Sequence, residues 1–157
     1  MIKVLFVCLG NICRSPTAHG VLERKLEVAG LATQVEVESA GTAAWHVGKQ
    51  PDSSSQQTAR ARDYDLSHLR ARQVVAEDFL EFDYVLAMDN ENLANLQMLC
   101  PGENIKTQPQ LFLALFSTKG LTQVPDPYYG GEDGFESVLD MVEDACDQLI
   151  EDIRSKL

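Results

Sequence analysis

The chain has 157 residues, enough to bury a core of its own as one domain, residues 1–157. Hydrophobic residues make up 45% and charged residues 24%, which excludes a disordered or membrane-embedded polypeptide. A net charge of −11 excludes a nucleic-acid footprint and repels anionic membrane surfaces, so an anionic substrate needs a site that is a local exception to the field.

Ile2 to Val7 is an apolar run broken by one Lys, the pattern of a strand buried on both faces. It is too short for a signal peptide and no small-residue cleavage site follows it. A polar loop, Cys8 to Ser15, leads to Pro16, where a helix is predicted to begin with Ser15 as its cap. Ala18, Val21, Leu22, Leu26 and Ala29 follow at helical spacing and Gly30 ends the run. Val35 and Val37 alternate with Glu36 and Glu38, predicting an edge-side strand that closes a βαβ unit. A loop from Ala43 to Asp52 carries Trp45 and His46, and Ser53 to Arg62 reads as helix.

Tyr84 to Met88 is the next buried strand, closed by Asp89, with a helix from about Glu91 to Leu99 before Pro101. Ile105 to Phe116 fits either a fourth strand or a short apolar helix. Val124 to Gly131 holds two prolines and two glycines and is predicted to be an irregular loop. From Gly134, the residues Phe135, Val138, Leu139, Val142, Cys146, Leu149 and Ile153 form one helical stripe under a solvated acidic face. The expected architecture is a three-layer α/β domain with its ligand loop after the first strand.

Cys8, Cys13, Cys100 and Cys146 are too few and too dispersed for a disulfide framework, and His19, His46 and His68 lack ligand spacing, so no metal is expected. This predicts a reduced, cytoplasmic protein with no membrane span.

Nucleotide-type glycine fingerprints are absent from the first loop. Cys8 is instead followed six residues later by Arg14. That spacing alone is weak evidence, but its context is specific. Backbone N–H groups of a loop opening onto a helix N-terminus form an anion nest, and such a field favours thiolate over thiol. Arg14 offers a planar fork for two phosphate oxygens. Gly10 lets the backbone approach a ligand, and Asn11 tolerates a left-handed conformation. A buried strand-end cysteine beside a surface arginine is the plainer account, and the Gly10, Asn11, Ser15 and Pro16 setting argues against it.

Val7 to Pro16 and Asp126-Pro127-Tyr128-Tyr129 together resemble the low-molecular-weight protein-tyrosine phosphatase family. Ser39 to Thr42, Trp45 to Gly48, Asp65 to His68, Ala71 to Gln73 and Met88-Asp89 extend the resemblance along the whole chain. It implies a four-stranded parallel sheet flanked by helices, with no metal or organic cofactor. It implies Cys8 as nucleophile, Arg14 as phosphate clamp and Asp126 as general acid, then base. Leu9, Gly10, Asn11, Ile12, Cys13, Arg14 and Ser15 would form the phosphate cradle, with Ser15 donating to the Cys8 thiolate. Asn11, held by Ser39 and His68, would fix the loop, and Trp45, Tyr128 and Tyr129 would wall the cleft. Asp52 is followed by Ser53-Ser54-Ser55 where many relatives carry Pro-Arg.

The expected partners are phosphotyrosine proteins, a tyrosine kinase among them, with inorganic phosphate as a product inhibitor and the protein a monomer. Cys13, five residues along the loop, is a candidate to trap an oxidised Cys8 as a disulfide; simple packing beneath the loop is the alternative. His19, on the first helix, reads as structural, Cys100 and Cys146 as packing residues, and Arg60, Arg62, Arg70 and Arg72 as partners of nearby acids. Two rival functions share the Cys-x5-Arg loop: a thiol-dependent arsenate reductase and a non-catalytic phosphotyrosine reader. The first needs a further cysteine pair, and the second needs neither Cys8 nor Asp126.

Overall fold

A computed structural model of the chain describes residues 1–131 and 133–157. The strand β1 (Ile2–Cys8) lies inside a four-stranded parallel sheet of order β2-β1-β3-β4, with β2 (Val35–Gly41), β3 (Tyr84–Ala87) and β4 (Gln110–Leu111). The helices are α1 (Arg14–Val28), α2 (Ser53–Arg60), α3 (Asp78–Glu81), α4 (Asn90–Leu99), α5 (Phe112–Phe116) and α6 (Gly134–Arg154). No described helix is long and apolar enough to cross a membrane.

The side-chain period of β1 divides the core in two. Val4, Phe6 and Cys8 face α1 and α6 and pack with Leu22, Val142 and Leu149. Leu5 and Val7 face the other way and pack with Phe79, Phe82 and Leu96 from α3, α4 and the segment between them. Removing a fully buried ring such as Phe6 would cost about 3–5 kcal/mol, so the strand that ends at Cys8 is firmly held.

Three expectations change. The segment fitting strand or helix is both in succession: two residues pair with β3, then Phe112 turns the chain into α5. The first helix begins at Arg14, two residues before Pro16, and Ser15 is not its cap; Cys13 holds that position without a side-chain cap bond. The acidic face of α6 is not simply solvated. Glu136, Asp140 and Glu143 all hold Arg62, which ties the chain beyond α2 to that helix.

Candidate active site

Cys8 is the last rung of β1, paired in register with Gly41, and is 2% exposed. Beyond it the chain turns back through Asn11, whose φ of 58° is left-handed as its residue type allows. This turn aims the Asn11 amide at the Cys8 sulfur, 3.3 Å away.

A buried chain of hydrogen bonds then fixes polarity around the sulfur. The Arg72 amide donates to Asn11 Oδ1 at 3.0 Å, so the other end of that side chain must be its NH2. Asn11 Nδ2 donates to Ser15 Oγ at 2.8 Å. The Ser15 hydroxyl proton is left with two acceptors, Cys8 Sγ at 2.9 Å and the Ala40 carbonyl at 3.4 Å. Toward an ionised Cys8 the hydroxyl donates to sulfur, the shorter of the two contacts. The Asn11 amide and the Ser15 hydroxyl therefore converge on the Cys8 sulfur, and a charged sulfur there would accept from both.

Arg14 is also buried, at 6% exposure, and is steered by a residue not assigned a role from sequence. Its Nη1 donates to Asp89 Oδ2 at 2.6 Å and to the Val124 carbonyl at 3.0 Å. Asp89 closes β3 and caps α4 through its second oxygen, which accepts from the Asn92 amide at 2.8 Å. One carboxylate thus fixes a helix start and the angle of the guanidinium. The remaining fork, Nε and Nη2, carries the bidentate geometry suited to phosphate.

Asp126 reaches the site on a strap pinned at both ends. Val124 donates its amide to the Met88 carbonyl at 2.7 Å while its own carbonyl holds Arg14. Beyond Asp126, a single 3-10 turn (Pro127–Tyr129) sits against the start of α6. A Cβ on Gly134 would lie 2.0 Å from the Pro127 carbonyl, so only glycine permits that approach. Asp126 is half-buried and caps the turn, its Oδ1 accepting from the Tyr128 amide at 3.0 Å.

Cys13 points into a different setting. Burial, then the neighbouring Asp52 carboxylate, push its thiol up to about 12, with Cys8 and Asp126 adding in the same direction. It is a protonated thiol at neutral pH.

Several sequence-based assignments are corrected. His68 does not hold Asn11: it is exposed and bonded to Glu23 at 3.1 Å, and the Arg72 amide performs that role. Ser39 does not reach Asn11 either; its hydroxyl pairs at 3.0 Å with Nδ1 of His19, the histidine read as structural, whose Nε2 faces Glu23 at 3.4 Å. The His19–Glu23 spacing of four residues on α1 was the available signal. Gly10 also faces His46, whose Cδ2 would lie 2.9 Å from an added Cβ, so a larger residue there would push that ring aside.

Trp45 and the tyrosines stand in different surroundings. Trp45, 70% exposed, borders a shallow groove with Leu9, Val75 and Leu99. Tyr128 stands edge-on to Phe135, ring centroids 5.0 Å apart, and Tyr129 projects into solvent. Arg62 and Arg72 are indeed engaged by acids, Arg72 with Asp78 at 3.0 Å and Glu38 at 3.3 Å. Cys146 is fully buried and Cys100 caps the end of α4, and burial raises both thiols. Among the described residues no cluster of His, Cys, Asp and Glu is arranged to hold a metal ion.

The family model for low molecular weight phosphotyrosine protein phosphatase matches residues 3–157. The low molecular weight protein-tyrosine-phosphatase of Streptomyces coelicolor is 41% identical over 157 residues, 99% of this chain and 95% of its own. YfkJ of Bacillus subtilis, given the same description, is 38% identical over 156 residues, 99% of this chain and 98% of its own. A crystal structure of a protein tyrosine phosphatase from Entamoeba histolytica superposes with a TM-score of 0.91 at 42% identity, covering 100% of both chains. With β1 delivering Cys8 into a loop that closes on Arg14, and the match running the length of the chain, this protein belongs to the low molecular weight phosphotyrosine protein phosphatase family.

Proposed function

We propose that the protein hydrolyses phosphotyrosine in proteins by way of a phosphocysteine on Cys8. The observation that carries this is the convergence of the Asn11 amide and the Ser15 hydroxyl on the Cys8 sulfur. A packing cysteine has no need of two polarised donors.

The thiolate attacks phosphorus in line with the aryl oxygen; the S–P bond forms as the P–O bond breaks. Loop amides and the Arg14 fork hold the equatorial oxygens as their charge shifts. Asp126 gives its proton to the departing phenolate, whose conjugate acid has a pKa near 10. Water then attacks the phosphocysteine, Asp126 takes its proton, and the S–P bond breaks to restore the thiolate and release inorganic phosphate. That product fits the same cradle and is a competitive inhibitor. The substrates are phosphotyrosine proteins, a tyrosine kinase's own phosphorylated form among them, met in the cytoplasm by a monomeric enzyme.

The arsenate-reductase alternative would need to relay oxidation to a second thiol pair. Cys146 is a fully buried residue of α6 and Cys100 lies at the end of α4, which does not support such a relay. The test measures turnover of a phosphotyrosine peptide and thioredoxin-coupled arsenate reduction on the same preparation, with Cys8→Ser as control. Ester hydrolysis lost in Cys8→Ser supports the reading; arsenate reduction without ester hydrolysis overturns it.

A further inference from the structure

Asp52 was read from the sequence only as the place where Ser53-Ser54-Ser55 departs from related chains. In the fold it joins three parts of the site. Its amide donates to the Ile12 carbonyl of the phosphate loop at 2.8 Å. Its Oδ2 caps α2, accepting from the amides of Ser54 at 2.9 Å and Ser55 at 3.1 Å. Its Oδ1 accepts from the Tyr128 hydroxyl. Tyr128 is the residue whose amide, at its other end, holds Oδ1 of Asp126. The cradle, the start of α2 and the acid strap therefore meet at one carboxylate, on residues 76 positions apart.

We infer that Asp52 is a positioning residue, which through the Tyr128 hydroxyl sets where Asp126 delivers its proton. The inference rests on the role assigned to Asp126 above. Asp126 Oδ1 is occupied by the Tyr128 amide, so Oδ2 carries the proton, and the direction of Oδ2 follows the setting of Tyr128. The ring of Tyr128 is held on one side by Phe135. The Asp52 contact fixes the remaining freedom, the rotation and tilt that the edge-on ring contact leaves open. Consistent with a hydrogen bond to a carboxylate, the Tyr128 phenol is pushed up to about 12.

Two substitutions cut this contact from opposite ends without removing what else each residue does. Asp52→Ser keeps a good helix cap but is too short to meet the hydroxyl. Tyr128→Phe keeps the ring against Phe135. Asp52→Asn keeps both the cap and an acceptor and serves as the rescue. The readout is kcat on phosphotyrosine divided by kcat on dinitrophenyl phosphate, whose leaving phenol needs no proton. With Asp126→Ala setting the full scale, Asp52→Ser and Tyr128→Phe should each lower the ratio about three- to tenfold, the span of one hydrogen bond. The double variant should fall no further than either single one, and Asp52→Asn should recover most of the ratio.

An unchanged ratio in Asp52→Ser and Tyr128→Phe, with or without an equal loss on both esters, overturns the inference while leaving the role of Asp126 intact. An unchanged ratio in Asp126→Ala overturns both.

Discussion

Arg14 Nη1 and Asp89 Oδ2 lie 2.6 Å apart, and both side chains are largely withdrawn from water. A buried pair of this kind is valued here less for stability than for direction. Asp89→Asn would keep the cap of α4, because Asn is an equally good cap, and lose the charge that turns the guanidinium. We expect kcat/KM on phosphotyrosine to fall on the order of tenfold, with weaker inhibition by phosphate. Arg14→Lys replaces the fork by a point charge and should fall by a further factor of ten or more. Comparable kinetics for wild type and Asp89→Asn would show that Arg14 needs no guide.

Asp126→Ala should lose about 10²–10⁴-fold in turnover of phosphotyrosine, since the phenolate must then leave unprotonated. The loss should shrink steadily along a series of aryl phosphates as the leaving phenol becomes more acidic. A plot of log kcat against leaving-group pKa checks this: the variant's line should be steep where that of the wild type is flat.

Asn11 has two separable duties, a left-handed backbone and a relay of polarity from Arg72 to Ser15. Asn11→Gly preserves the first and abolishes the second; Asn11→Ala loses both. Thermal unfolding should place the glycine variant above the alanine variant by about 1 kcal/mol, the cost of a left-handed alanine. Turnover should be impaired alike in the two. If the glycine variant turned over like wild type, the relay would be irrelevant to the sulfur.

For Cys8→Ser we expect no turnover with phosphate binding retained, because the amides and Arg14 do not depend on sulfur. Isothermal calorimetry with inorganic phosphate is the check.

Oxidation brings Cys13 into play with a definite pH dependence. Peroxide converts the Cys8 thiolate to a sulfenic acid, and the Cys13 thiolate can then displace hydroxide to form the disulfide. With its thiol pushed up to about 12, Cys13 is ionised at pH 7 to only about one part in 10⁵. Its thiolate fraction rises tenfold per pH unit below that value, so trapping should quicken by about tenfold per unit between pH 7 and pH 9. Stopped-flow oxidation followed by mass spectrometry reads the share of disulfide against sulfinic acid. Irreversible loss should dominate at the acid end and recoverable loss at the alkaline end. A yield of disulfide independent of pH would remove Cys13 from this role.

Much of the fold could be read from residue types in chain order. The apolar run into Cys8, the alternation of Val35 and Val37 and the helical stripe from Phe135 to Ile153 each carry a period that only one element satisfies. Asn11 was legible as a left-handed position because few other residues accept one. What holds Asn11 was not: its partner is a backbone amide 61 residues away, and backbone donors leave no mark on a sequence. Asp89 stood out as an acid ending a strand, yet its hold on Arg14 spans 75 residues and depends on β1 and β3 being neighbours. The strand of Gln110–Leu111 is too short for any period to reveal. His68 and His19 both meet Glu23, and that only His19 is buried against Ser39 is a matter of tertiary packing rather than composition.

The alternation along β1 has a bearing on how the protein matures. Val4, Phe6 and Cys8 share one face, and the pairing of Cys8 with Gly41 is the final step of that register. Because side chains on a strand alternate, a slip of one residue would drive Leu5 and Val7 into the space of Val4 and Phe6. It would also turn Cys8 away from the N-terminus of α1. A chain that has slipped by one residue is therefore silent, since that pairing cannot present the thiol to the loop. Recovery of turnover during refolding consequently counts correctly paired strands, a more selective gauge than recovered helical signal, which α1 and α6 would return in either register.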